Sequence, residues 1–486
     1  MTERTLRTLR HETPIDILPQ DSIHAIREAT FRVLETTGVE VRSERLLKEL
    51  DKVGAVADME KGHATFPREV VEACLALVPD DLPLSSREPG LDINFDGKTG
   101  FLGVDGSAAE IVDLDTGNRR PSLKSDLADI TRIADALPQI SYIWQPVASR
   151  DVPVPTEPMH NLEAQLPNTG KHIMLMTAVT GEQAHACSEM ASIAMGGEQE
   201  LRDRPIISAF QCSVSPLVYD GGPLEAAIAF AEHGVPNGFM VMPITGATSP
   251  ITRAGTLVIS NAEVIAGVVC QQLLAPGART FYGSCATTMD LRSGAANCGG
   301  PEDLLYQMAN AQLARSYGLR SIIGTFATGS KTSDWQGGAE NGVSAMASAI
   351  AGVDMLSGAG LLYAARVFSA VQMLLDAELF DLVAGAFDPM SVDAEALAVE
   401  VIEAVGPGTH FLDQDHTLEN MMGLWMSDFF NRQSWEDWEA GGKIEPKVKA
   451  EAKAREILET HQPYPLPDGA AEKIRKVVAA HEPADA

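Results

Sequence analysis

Basic residues are scarce in this chain: 37 Lys and Arg stand against 67 Asp and Glu over 486 residues, a formal net charge of −30. A phosphate backbone or an anionic lipid surface needs clustered cations, so nucleic acid and membrane are not expected partners. Cysteine is sparse too. The six thiols, Cys74, Cys187, Cys212, Cys270, Cys285 and Cys298, form no C-x-x-C pair, which argues for reduced thiols and a cytoplasmic protein. The N-terminal stretch has basic residues but no apolar core of a secretory signal, and no run approaches the roughly 20 apolar residues of a membrane span. G-x-G-x-x-G after an early strand, G-x-x-x-x-G-K-[ST], G-x-S-x-G, H-E-x-x-H and H-x-H are all missing. With them go the dinucleotide fold, the P-loop, the hydrolase elbow and the zinc-protease helix. FATGSK, starting at Phe326, lacks the P-loop spacing and reads as a flexible rim. Cys285 and Cys298 share one loop, but a zinc-thiolate site would need a third thiol from another strand.

What the chain does have is alternation. Short apolar runs at 101–105, 140–146, 172–177, 206–211, 238–243, 280–284, 321–325 and 353–357 read as buried parallel strands. Helical patterns fill the gaps at 123–137, 157–166, 181–195, 223–233, 252–274, 301–317, 338–351 and 366–386. The helix at Pro301 is well marked, with Pro first, Glu302 and Asp303 in its opening turn and Gly318 after its end. Eight strand–helix pairs predict an α/β fold, a closed (β/α)₈ TIM barrel over 100–390. Residues 1–99, with amphipathic helices at Asp21–Gly38 and after Pro67, read as an N-terminal α+β cap. Residues 391–486 read as a C-terminal helical extension, with Lys447–Glu459 helical and the tail from Pro463 loosely held. Trp425, Phe429, Phe430, Trp435 and Trp438 make that extension aromatic, suited to the barrel flank or to a second subunit, so a homo-oligomer is expected.

Chemistry in such a barrel lies at the C-terminal ends of the strands. That rule selects Asp105, Gln145, Gln211, Met242, Tyr282, Ser284, Phe326 and Ser357, with two long loops, Cys285–Gly300 and Phe326–Gly338. Glu263, Asp376 and Glu378 interrupt apolar helical patterns. A buried carboxylate must be paired or hydrogen-bonded, so each is expected to pin its helix to a neighbouring loop. Aromatics also gather near strand ends: Tyr142, Trp144, Phe210, Tyr282, Phe326, Trp335 and Tyr363. Most strand aromatics are core, yet with Asp105 and Asp334 they suit a box for a quaternary ammonium ion, each cation–π contact contributing about 0.5–2 kcal/mol.

GSCATTMDLRSGAANCGGPEDLL, TSDWQGGAENG, SNAEVIAG, DAELF and GPGTHFLDQDHTLEN, in this order across residues 20–465 apart from the earlier SNAEVIAG, resemble the trimethylamine methyltransferase family. The resemblance implies a (β/α)₈ barrel that moves a methyl group from a methylamine to the cobalt of a corrinoid (cobalamin) held by a separate protein, with no metal bound by this chain. No D-x-H-x-x-G run of a corrinoid-binding domain is present. Archaeal trimethylamine members carry pyrrolysine near the segment matching Gly329–Gln336; here that segment has only standard residues, which points to a quaternary amine such as glycine betaine or a related betaine. A quaternary ammonium expels a neutral amine on losing a methyl group, so no proton need be supplied. The site residues so implied are Asp105, Gln145, Tyr282, Phe326, Asp334, Trp335 and Tyr363 for the substrate, with Gln145 or Arg292 for its carboxylate. The corrinoid-facing loops are expected to present Gly283, Ser284, Asp290, Arg292, Gly299, Lys331 and Gln336. Two alternatives stand beside it: a non-catalytic betaine-binding or sensing barrel, or a methyltransferase for another methylamine.

Overall fold

The eight apolar runs become eight parallel strands in a computed structural model that describes residues 4–176 and 178–483. They are β1 (Thr99–Val104), β2 (Ile140–Trp144), β3 (His172–Leu175), β4 (Ile207–Cys212), β5 (Asn237–Val241), β6 (Tyr282–Ser284), β7 (Ser321–Gly324) and β8 (Met355–Ala359). Each pairs in parallel with its neighbours in chain order, and β8 pairs back onto β1, so the sheet closes. The connecting helices are α1 (Lys124–Ala136), α2 (Glu157–Gln165), α3 (Gly181–Met195), α4 (Gly221–Glu232), α5 (Arg253–Leu274), α6 (Pro301–Ser316), α7 (Trp335–Ala351) and α8 (Ala370–Ala386). Side-chain caps open several of them: Thr180, Thr252, Asp334 and Ser369 each accept a backbone N–H of the first turn.

Strand parity decides what fills the barrel. Along β5, Phe239 and Val241 face the helices while Met240 points inward; along β6, Tyr282 faces out, between Phe281 before it and Cys285 beyond the strand, both inside. The interior holds Phe101, Tyr142, Met174, Phe281, Ile322 and Met355. Large rings fit because glycines face them: a Cβ on Gly103 would lie 2.2 Å from the Tyr142 ring, and one on Gly238 2.2 Å from Phe281. The Tyr142 hydroxyl donates to the Leu356 carbonyl at 3.0 Å and closes the floor.

Helix α5 is the one described helix long and apolar enough to cross a membrane, yet it is mostly buried within the protein, against the N-terminal helix Gln20–Thr36, the helix Arg68–Leu77 and β5. The carboxylates inside apolar helices pin loops, as expected from their burial. Glu263 accepts from the Ser213 hydroxyl, the Ser215 hydroxyl (2.8 Å) and the Leu217 N–H (2.9 Å). Asp376 accepts from Asn341, Gln372 and the Gly360 N–H at 2.8–2.9 Å. Glu378 takes the Ser427 hydroxyl and ties the C-terminal extension to α8.

Before the barrel, Val39–Arg42, Val56–Asp58 and His63–Thr65 form a small sheet, which Val218–Asp220 from the β4–α4 connection joins in parallel. After it, helix Pro446–Thr460 packs on α8 and α1. The tail is not loosely held: helix Ala470–His481 buries Ile474, Val477 and Val478 against α3 and α2, an apolar stripe that the Pro- and Ala-rich composition masked.

Candidate active site

Where the strands end, their last inward side chains enclose a mostly apolar cavity of about 220 Å³. Asp105 follows β1, Trp144 ends β2, Phe210 lies on β4, Met240 on β5, Cys285 follows β6 and Gly324 ends β7; the loops after β3 and β8 complete the ring. Trp144 and Phe210 pack edge to face with ring centroids 4.1 Å apart. Six sulfur side chains share the wall, Met176, Met240 and Met242 with Cys212, Cys285 and Cys298. Thioethers adapt to an irregular shape without adding charge.

Asp105 is 5 % exposed and faces the cavity with no Lys, Arg or His on the described lining to pair it. Burial pushes its carboxyl up to about 7, with the Ser357 hydroxyl pulling the other way. A buried carboxylate with no cationic neighbour is costly to ionise. The second acid, Asp303 on the first turn of α6, accepts from the Thr287 hydroxyl and the Gly299 N–H, both at 2.9 Å, and burial raises it to about 7 as well. Burial first, then the nearby carboxyls, hold the thiols protonated: Cys212 and Cys298 are pushed up to about 12 and Cys285 well above its ordinary value. A neutral thiol is a poor nucleophile. Among the described residues no three His, Cys, Asp or Glu side chains converge as metal ligands.

Around the mouth the loop after β6 folds into a hairpin, Thr287–Asp290 against Ala295–Ala296, that Ile244–Thr245 extends. Glu340 on α7 fixes the loop after β7: it accepts from the Thr328 hydroxyl, from the Gly329 N–H at 2.9 Å and from Gln336 at 2.8 Å. A Cβ on Gly299 would lie 2.7 Å from the same carboxylate.

Residues 1–484 match the family model described as trimethylamine methyltransferase (MTTB). The chain belongs to the trimethylamine methyltransferase family. It is 35 % identical to trimethylamine methyltransferase MttB of Desulfitobacterium hafniense, over 95 % of this chain and 93 % of the relative. It is 31 % identical to a glycine betaine methyltransferase of D. hafniense strain Y51, over 96 % of each. A solved hydroxylamine complex of MtmB superposes with a TM-score of 0.51 at 13 % identity, and the monomethylamine methyltransferase MtmB of Methanosarcina barkeri with 0.50 at 12 %, each over 90 % of this chain and 92 % of that one, a likeness of fold. The protein is thus a methyltransferase on a (β/α)₈ barrel.

For this methyltransferase the cavity gathers only one of the expected substrate residues, Asp105. Tyr282 is turned outward by parity, its hydroxyl bonded to Asn310 (2.9 Å) and Asn261 (3.2 Å) between α5 and α6. Gln145 is buried behind β2 with its amide on the Val147 carbonyl at 3.2 Å, off the cavity wall. Phe326 is packed in the core under α7 and α8, and its neighbour Ala327 lines the cavity instead. Asp334 is the cap of α7, occupied by the Gly337 N–H and the Ser330 and Thr332 hydroxyls. Trp335 points to solvent, 88 % exposed. Tyr363 presents its ring to Lys331 (5.0 Å) and Arg366 (5.8 Å), while Ala364 and Ala365 meet the cavity. On the rim, Gly283 and Ser284 are buried: a Cβ on Gly283 would meet the Phe239 carbonyl at 2.8 Å, and Ser284 bonds Ser260 at 3.0 Å. Arg292 is exposed and paired with Asp290 at 3.0 Å; these two, Lys331 and Gln336 lie off the cavity wall. The wall residues Met176, Met240, Cys285 and Asp303 were not among the expected substrate residues, because nothing in their residue type marks them.

Proposed function

We propose that the protein takes a methyl group from a quaternary methylamine and passes it to the Co(I) of a corrinoid held by a separate protein. The observation that carries this is Asp105, a buried acid without a cationic neighbour, in a small apolar cavity walled by Trp144 and Phe210. The names of the relatives support a methylamine, and the standard residues at Gly329–Gln336 support a quaternary one. In the transfer the C–N bond breaks, the methyl carbon joins the metal of the acceptor, and the electron pair leaves on a neutral tertiary amine, so no acid catalyst is needed. Asp105 opposes the ammonium charge, the aromatic edges and thioethers exclude water, and the narrow wall aligns one methyl group with the mouth. Once the methyl group has left, the neutral amine no longer pairs with Asp105 and is released. A cavity of about 220 Å³ holds a small amine and not a corrin ring, so the acceptor stays at the mouth, framed by Asp290, Arg292, Lys331 and Gln336. The test is to mix the protein with Co(I) cobalamin, or a corrinoid protein, and a panel of quaternary amines, and follow methylcobalamin absorbance. Transfer from none of them defeats the proposal.

The same proposal includes a homo-oligomer. Fourteen of the thirty-one exposed large apolar side chains among the described residues fall between Met390 and Ile444, and only Phe429 is buried there. At roughly 60–120 Å² of apolar surface each, they exceed the few hundred Å² that monomers leave open and reach the ~800 Å² per partner of a stable dimer. A permanent second copy suits them better than a corrinoid protein, which must leave after each turnover. The segment also departs from the C-terminal end of α8, away from the mouth. Light scattering is expected to give at least twice the 51.9 kDa chain mass; polar substitution of Leu412, Leu418 and Leu424 together should lower it. A parent that runs as a monomer at micromolar concentration removes the oligomer.

A further inference from the structure

The polar groups on the cavity wall say something about the rest of the substrate. Asp105 and Asp303 are both there, and no Lys, Arg or His stands among the described lining residues. The neutral donors are few. The Trp144 indole N–H is buried with no hydrogen-bond partner among the described residues, and the Gln307 amide meets the Ser344 hydroxyl, whose one proton goes to the Thr325 carbonyl at 2.6 Å. Such donors satisfy an alcohol or carbonyl oxygen. They do not offset a full negative charge in a water-poor space that already contains two acids, where a buried carboxylate requires an opposite charge or several converging N–H bonds. The ammonium group of a betaine cannot serve its own carboxylate here, because Asp105 claims it. Lys331 and Arg366 flank the Tyr363 ring outside the wall.

We propose, building on the quaternary-amine function above, that the site selects methylammonium cations whose tail is uncharged, an alcohol, amide or alkyl group, and rejects those whose tail carries a carboxylate. Asp303 and Asp105 are the specificity-determining residues: one holds the ammonium group, and the other makes the tail end of the cavity unwelcoming to an anion. The absence of a basic residue on the wall is what separates this cavity from one shaped for a zwitterion.

The test needs only binding, by calorimetry on the intact protein at pH 8. The probes are tetramethylammonium, choline, glycine betaine, and the amide of glycine betaine, which keeps the shape of the betaine and removes its negative charge. Choline and the betaine amide are expected within about fivefold of each other, with glycine betaine at least thirtyfold weaker than the amide. Asp303→Asn should narrow the amide-to-betaine ratio at least fivefold; the amide comparison on the parent stands without that variant should it fold poorly. Glycine betaine binding as tightly as its amide overturns the inference and points to Lys331 and Arg366 reaching the tail, with the quaternary-amine function intact. Failure of all four, tetramethylammonium included, overturns both.

Discussion

Asp105→Asn is expected to weaken binding of tetramethylammonium or choline by about two to three orders of magnitude, because removing one member of a buried ion pair costs about 3–5 kcal/mol. The parent should show a matching pH dependence. Burial pushes Asp105 up to about 7, and a cation needs its ionised form, so affinity climbs as pH rises towards 7 and levels off above it. The Asn variant should be flat over that range. Stability without ligand moves the other way. An acid whose folded pKa is raised costs nothing at a pH below its ordinary value, and the penalty grows as pH rises from that value to about 7 and stays constant above. Asp105→Asn removes that share, while Asp303 and Asp376, also raised to about 7 by burial, keep theirs. The variant should therefore melt no lower than the parent at pH 8, which separates lost binding from lost folding. Calorimetric titrations from pH 5.5 to 8.5 decide it: unchanged affinity removes Asp105 from the cation site.

The barrel was legible because its strands are buried on both faces and so appear as short, nearly continuous apolar runs between strongly periodic helices. The same continuity hid the site. A run such as Ile140–Trp144 does not alternate in hydrophobicity, so nothing in it says that Trp144 faces the cavity while Tyr282, equally aromatic and equally near a strand end, faces the Asn261–Asn310 pair outside. Asp105 stood out because charge beside an apolar strand is rare whichever way it points. Asp303 was read as a helix-start residue, which it is, and its second role on the cavity wall depends on the hairpin at 287–296 folding back over α6, a long-range contact with no local signature. Phe326 and Tyr363 failed for another reason: each lies just past a strand, where the chain turns and the parity of the strand no longer applies.

Trp335→Ala is expected to leave affinity for every small ammonium ion within twofold of the parent, since an indole that is 88 % exposed does not touch the cavity. That reverses the sequence-based expectation, a loss of more than tenfold. Its place assigns it another partner. Trp335 is the first residue of α7, directly after the Asp334 cap, next to Gln336 and four residues after Lys331 on the preceding loop. An isolated, solvent-facing Trp beside the mouth is what an anchor for a docking protein looks like, and truncating such an anchor typically costs about 2 kcal/mol or more, roughly thirtyfold. Methyl transfer to a protein-bound corrinoid should therefore lose about thirtyfold in kcat/KM, carried by KM for the corrinoid protein, while transfer to free cobalamin stays at the parent rate. Steady-state rates with both acceptors separate the cases. Equal losses with free and protein-bound acceptor would place Trp335 in the chemistry after all, and no loss with either would remove it from the docking surface. A loss confined to the protein-bound acceptor ties the rim to the partner and leaves the ammonium site to Asp105, Trp144 and Phe210.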